Sequence, residues 1–290
     1  MQLMEMFGSG FLLHNAFYGS VVVGLVCPLI GVYFLLRRLV FWGVALPQVS
    51  SAGIAYAFML QGFGFTLLSG SEAGEKHLAI IASLLFTGAA ILTLVLLERR
   101  GRGASEGRIG VIYALAWAGS ILFVAWNAAG ETEMLGLLKG EIVSISPQDF
   151  HAILWVYGFI AACMFLFQRE FLLASYDRDM AVTLGRRVMW WDALLYLLIG
   201  LAISLGVMTV GPLVIFSFLV IPAMAALPWA TGIVSLSLLA ALFGGAGALG
   251  GFYFSYAHDL PLGPVIVCAC GVLLLVSYAA GSLRGLARGK

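Results

Sequence analysis

The sequence predicts an all-α, polytopic membrane protein, and three observations lead there. Apolar residues make up 62% of its 290 residues and charged residues only 10%, against roughly 25% charged in a soluble domain. The apolar residues gather into long runs. The basic residues gather in the gaps between alternate runs. A soluble fold has one core and a water-facing shell and cannot hide this much apolar surface, whereas a bilayer accepts it. A net charge of +1 with no basic stripe leaves no footprint for nucleic acid.

A membrane span needs about 20 mostly apolar residues. Nine runs qualify, at about 10–36, 40–62, 78–97, 109–128, 150–168, 189–205, 208–226, 232–257 and 264–281. The first is too long for the apolar core of a signal peptide and has no basic segment before it, so it reads as a span. The sixth and seventh are divided near Gly206. Val210-Gly211-Pro212 is the strongest breaking signal there, because Gly and Pro both interrupt helices. The pair can also be read as one broken or re-entrant segment beside eight full spans.

The basic residues test that count. With nine spans, of the 15 Lys and Arg residues all but Lys76 and Lys139 fall on one side. Arg37 and Arg38, the cluster Arg99 to Arg108, the cluster Arg169 to Arg187, and the last residues Arg284, Arg288 and Lys290 all share it. That asymmetry predicts the N-terminus outside and the C-terminus in the cytoplasm. No gap between runs is long enough to fold as a further domain, so residues 1–290 form one transmembrane domain. No G-x-x-x-x-G-K-[ST] pattern occurs, so this chain does not bind and hydrolyse ATP by that route. Cys27, Cys163, Cys268 and Cys270 lie inside apolar runs without zinc spacing and read as small buried hydrophobes.

The most informative basic-side stretch is Phe171 to Gly185. Asp177 suits the cap of a short helix, and Asp179 lies in its first turn, where a carboxylate complements the helix dipole. Ala181 and Leu184 make a small apolar face, and Gly185 suits the end. A short amphipathic helix of this kind is either a docking knob for a soluble partner or an ordinary interfacial loop.

Here the sequence resembles a known family, the zinc and manganese type of metal-ion ABC permease. Its coupling segment reads roughly Phe-Asp-Pro-Glu-x-Ala-x-x-x-Gly, and the matching residues are Tyr176, Asp177, Arg178, Asp179, Ala181 and Gly185. The resemblance continues through Gly31 to Leu39, through Gly140-Glu141 with Ser146-Pro147-Gln148-Asp149, through Val210-Gly211-Pro212-Leu213 and Ile221-Pro222-Ala223, and through Asp259-Leu-Pro-Leu-Gly263. It implies an ABC-importer permease in a bacterial inner membrane, working as a homodimer. Its implied partners are a cytoplasmic ABC ATPase, an extracytoplasmic substrate-binding protein and membrane lipid. It implies no cofactor on this chain itself and ATP on the partner ATPase.

The sequence departs from the family in its second span. Family members carry Gly-Asp-Ala-x-Ser-His, whose carboxylate and imidazole suit zinc or manganese and share a helix face. This chain reads Gly43-Val44-Ala45-Leu46-Pro47-Gln48, so the usual Asp and His positions are Val44 and Gln48. Val cannot ligate, and a Gln carbonyl is an uncharged, weaker ligand. With Ser50 and Ser51, Gln48 either satisfies backbone freed by Pro47 or forms a neutral polar patch for a chelated metal or another solute.

Candidate path residues are therefore Val44, Gln48, Ser51, His14 and Asp259. His77, His151 and His258, with Glu131, Glu133 and Asp259, are candidates for an acidic, imidazole-bearing vestibule on the outer side. Met208 offers a soft sulfur near a helix break. Asp192, just after Arg186 and Arg187, reads as an interfacial salt bridge or as an intramembrane functional group.

Overall fold

The computed structural model describes residues 13–64, 72–99, 105–126, 146–176 and 178–288. Those residues form eleven helices: α1 (His14–Leu36), α2 (Val40–Gly62), α3 (Glu72–Arg99), α4 (Ser105–Ala125), α5 (Pro147–Leu166), α6 (Gln168–Tyr176), α7 (Arg178–Thr183), α8 (Val188–Val210), α9 (Pro212–Ala226), α10 (Ile233–His258) and α11 (Leu262–Arg288). Eight are long and apolar enough to cross a bilayer, and α9 is a shorter apolar helix.

The structure takes the break signalled by Val210-Gly211-Pro212 and not the division near Gly206. Helix α8 runs through Gly206 to Val210, and the break falls at Gly211, whose φ of 86° and ψ of 157° favour a residue without a Cβ. Pro212 then opens α9 at its first position, where a missing N–H costs nothing. Gly206 serves packing instead. A Cβ there would strike the Ile215 side chain and the Tyr157 hydroxyl, and that hydroxyl donates to the Ala202 carbonyl at 2.7 Å.

Contacts between helix ends fix the alternation. At one face, Phe17 in α1 meets Phe252 in α10 with ring centroids 5.2 Å apart, and Ile266 in α11 lies against Gly251. At the other, Arg37 reaches Asp192 in α8, and Arg108 in α4 donates to the Leu97 carbonyl of α3 at 2.9 Å. Pro228, just past α9, meets Gly281 in α11. The chain thus returns through α9 to the Arg37 face, crosses in α10 and comes back in α11. The nine expected passes are eight long helices and a ninth of 15 residues, about 22 Å long.

Helix α9 is the centre of the bundle and packs on α1, α2, α8, α10 and α11. Its Ile215, Phe218, Leu219, Ala223 and Ala226 are fully buried. Small residues allow this density, as lipid-embedded helices require. Gly31 receives the Leu219 backbone, and Gly24 and Gly244 bring α1 and α10 into backbone contact. Helices α3, α4, α5 and α11 turn large apolar side chains outward, among them Leu85, Leu115, Trp155 and Leu275. That surface suits acyl chains and not water.

Candidate coupling segment and membrane path

On the Arg37 face, α6 and α7 connect α5 to α8. Asp179 stands exposed in the first turn of α7. Ala181 is only 1% exposed and packs with Ala174 of α6 and Val188 of α8. Gly185 ends the segment with a φ of 71°. Its N–H donates to the Val182 carbonyl at 2.9 Å, and the Arg186 N–H donates to the Ala181 carbonyl at 3.0 Å. This paired cap is a Schellman ending, as Gly185 suggested. Asp177 lies outside the described residues. Leu184 corrects the sequence reading. The helix ends at Thr183, so Leu184 leaves the buried face and is exposed with Tyr176, Met180 and Val182. Tyr176 is 78% exposed. The segment therefore has one anchored residue, Ala181, and an apolar outer rim.

The segment is tied to the spans by Arg37. Its guanidinium lies 2.8 Å from the Asp192 carboxylate, donates to Ser175 Oγ of α6 at 2.9 Å and to the Tyr196 hydroxyl at 3.4 Å. Asp192 thus forms a salt bridge, with a partner just past the end of α1. Arg186 pairs with Glu170 at 3.1 Å.

Inside the spans, the α2 candidates behave differently from one another. Val44 is half-buried, and Ser51 is buried. Ser50 shares a hydrogen bond of 2.7 Å with Ser83 of α3. Gln48 is 5% exposed, and its Nε2 has no hydrogen-bond partner among the described residues. Thr87 of α3 and Ser204 of α8 also hold unpartnered buried hydroxyls. A separate groove of about 530 Å³ between α3 and α8, lined by Gly88, Ile91, Asp192 and Tyr196 among others, includes none of the path candidates.

At the opposite face the polar candidates are dispersed. His14 is half-buried and tilts against Tyr18, ring centroids 4.5 Å apart. Asp259 is the left-handed C-cap of α10. His258 stacks on Phe254. His77 and His151 are exposed, and Asp149 pairs with Lys76 at 3.0 Å. Glu131 and Glu133 lie outside the described residues. Among the described residues no three His, Cys, Asp or Glu side chains come together as a metal-holding group, so the expected vestibule does not assemble from them. Met208 packs against the core.

Residues 10–281 match the ABC 3 transport family. The chain belongs to that family. It is 26% identical over 274 residues to the manganese transport system membrane protein MntC of Listeria monocytogenes, covering 94% of this chain and 92% of that one. It is 29% identical over 289 residues to the zinc transport system membrane protein TroC of Treponema pallidum, covering 98% and 93%. Its fold is shared with PsaBC from Streptococcus pneumoniae, solved in complex with Fab, at a TM-score of 0.81 and 23% identity over 96% of this chain and 94% of that one.

Two features of this ABC 3 family chain escape a reading of sequence. Thr87 and Ser204 are single hydroxyls inside apolar runs, like many that merely bond their own helix. Arg37 looked like one more member of the basic cluster. Only its seat in the fold separates it from the exposed arginines.

Proposed function

We propose that this chain is the permease subunit of an ABC importer that carries zinc, manganese or a complex of such a metal across a bacterial inner membrane. It is a transport subunit and not an enzyme. ATP acts on a separate cytoplasmic ATPase, which docks on the Tyr176–Gly185 segment, and an extracytoplasmic binding protein delivers substrate to the face where α1 begins. Two copies form the working unit, because two ATPases act together and each chain offers one coupling segment. The Arg37 face is cytoplasmic on this reading, and the N-terminus lies outside.

The observation that carries the proposal is α7 within this family fold. A helix held at Ala181, capped at Gly185 and apolar on its outer rim suits a socket on a soluble partner. Movement of that socket can bias a two-state permease.

A second reading has its own support. Val44 and the unpaired amide of Gln48 occupy the positions where the family's carboxylate and imidazole stand. A buried, uncharged donor and acceptor suits a neutral polar solute or a chelated metal better than a bare divalent ion. Purifying the chain with its cognate ATPase and binding protein, then measuring bound metal and metal-stimulated ATP hydrolysis in liposomes, separates the two. Stoichiometric zinc or manganese with stimulation supports metal transport. A complex that hydrolyses ATP but neither holds nor responds to either metal supports a different solute.

A further inference from the structure

We infer that Arg37 is the positioning residue that makes the α6–α7 segment and the α1–α2 hairpin move as one body. The inference rests on the reading of α7 as the coupling segment, and goes beyond it by naming what carries the motion inward.

Arg37 follows the last turn of α1. The turn is fixed by its own backbone: the Leu39 N–H donates to the Phe34 carbonyl at 2.8 Å and the Arg38 N–H to the Leu35 carbonyl at 3.1 Å. Arg38 adopts a φ of 57° to permit this, a conformation non-glycine residues rarely take. The guanidinium so placed is nearly enclosed, with side-chain exposures of 11% for Arg37 and 9% for Asp192.

Three elements meet on this one group. Ser175 belongs to α6, Asp192 and Tyr196 to α8, and Arg37 to the α1–α2 hairpin. Tyr196 also lies under the guanidinium carbon at 5.6 Å and stacks on Trp42 of α2, centroids 5.7 Å apart and planes 20° from parallel. Ala181 of α7 packs with Ala174 and Val188. A displacement of α7 therefore reaches α6 and α8 through packing, and α1 and α2 through Arg37.

Among the described residues, the joint also holds ring contacts, Tyr33 on Phe171 and Phe167 and Phe171 on Trp191, and the Arg186–Glu170 ion pair, which does not reach α1 or α2. Apolar contact is non-directional and permits sliding. The Arg37 Nε–H donated to Ser175 Oγ fixes direction, while the ion pair with Asp192 fixes distance. Lysine supplies the charge without the fork.

The test uses the full complex with ATPase and binding protein in liposomes, with Mn2+ and Zn2+ as probes. Arg37→Ala raises the ATP hydrolysed per ion taken up by about tenfold, the scale of losing hydrogen bonds to a charged group. Arg37→Lys falls between, and Ser175→Ala, which leaves the ion pair and the fold intact, raises the ratio by about twofold to threefold. An unchanged ratio in Arg37→Ala, or equal losses of hydrolysis and uptake, overturns the proposal.

A second readout needs no transported ion. Spin labels at the exposed Arg169 and Phe41 positions, with the exposed Cys268 replaced by serine, report the α6-to-α2 distance by pulsed electron resonance. The distance stays narrow and nucleotide-independent in the otherwise native complex and becomes nucleotide-dependent in Arg37→Ala. A nucleotide-dependent distance with Arg37 present overturns the rigid link. Failure of both metals to be carried, with the distances as expected, overturns the metal reading and leaves the link standing.

Discussion

Gly31 of α1 lies directly against the carbonyl oxygen of Leu219 on α9, with no space between them for a methyl group. Backbone meets backbone at the middle of the bundle, so neither side yields by changing rotamer. Gly31→Val forces α1 and α9 apart and costs about 1–3 kcal/mol or more, the usual range for overpacking. Gly88 is the control. It also sits within an apolar helix, but a Cβ there meets nothing within 4 Å. Thermal unfolding followed by size-exclusion chromatography in detergent separates them: Gly31→Val lowers the midpoint and the folded yield, while Gly88→Ala matches the native chain.

The same contrast explains what sequence could and could not reveal. Span positions were legible because each sums many residues, a whole run of apolar side chains. The break between α8 and α9 was legible in Val210-Gly211-Pro212, though not from glycine alone. Gly206 and Gly211 are identical as letters, yet one fills a close approach to Tyr157 and the other turns the chain at positive φ. The C-terminal end of α7 was legible through Gly185, but the fate of Leu184 depended on a helix that stops one residue earlier. The outer histidines and acids could be listed as types but not brought together, since proximity is set by the fold. The pairing of Arg37 with Asp192 had the same obstacle, and the sequence neighbours Arg186 and Arg187 drew attention away from it.

Gln48 predicts an opposition between stability and function. Its Nε2 is buried without a partner among the described residues, and an unsatisfied group of this kind costs about 1–3 kcal/mol. Gln48→Leu, similar in volume, therefore raises the unfolding midpoint in detergent. If the amide meets substrate, the same change lowers uptake several-fold in liposomes at unchanged expression. A variant that is both more stable and fully active would remove Gln48 from the path.

The start of α5 predicts a local loss. Ser146 and Asp149 form a reciprocal capping box, with the Asp149 N–H donating to Ser146 Oγ at 3.2 Å and the Ser146 N–H to Asp149 Oδ2 at 3.2 Å. Asp149 also accepts from Lys76 of α3. Ser146→Ala costs about 1 kcal/mol, the ordinary value of such a cap. Asp149→Ala costs more, because it removes the return bond and the link to α3 together. Lys76→Ala costs less than either, since an exposed ion pair contributes about 0–1 kcal/mol. Hydrogen exchange at the first turn of α5 orders the three, and equal protection in all of them would contradict the box as the main support.

Ala181 offers the sharpest test of the coupling segment. It is enclosed by Ala174 and Val188, with Leu173 and Trp191 packed around them, so Ala181→Glu must bury an unpaired carboxylate or lift α7 off the spans. The first costs several kcal/mol, so α7 lifts. The ATPase then loses its purchase on the membrane helices, and uptake falls more steeply than ATP hydrolysis. Gly185→Ala is the milder companion. It keeps α7 seated but strains the left-handed cap by about 1–2 kcal/mol, so its uptake lies between that of Ala181→Glu and the native chain. Leu184→Ser alters only the exposed rim. It leaves the permease's thermal stability unchanged and weakens copurification with the ATPase. Uptake at the native rate in Ala181→Glu would show that force enters the permease elsewhere than α7.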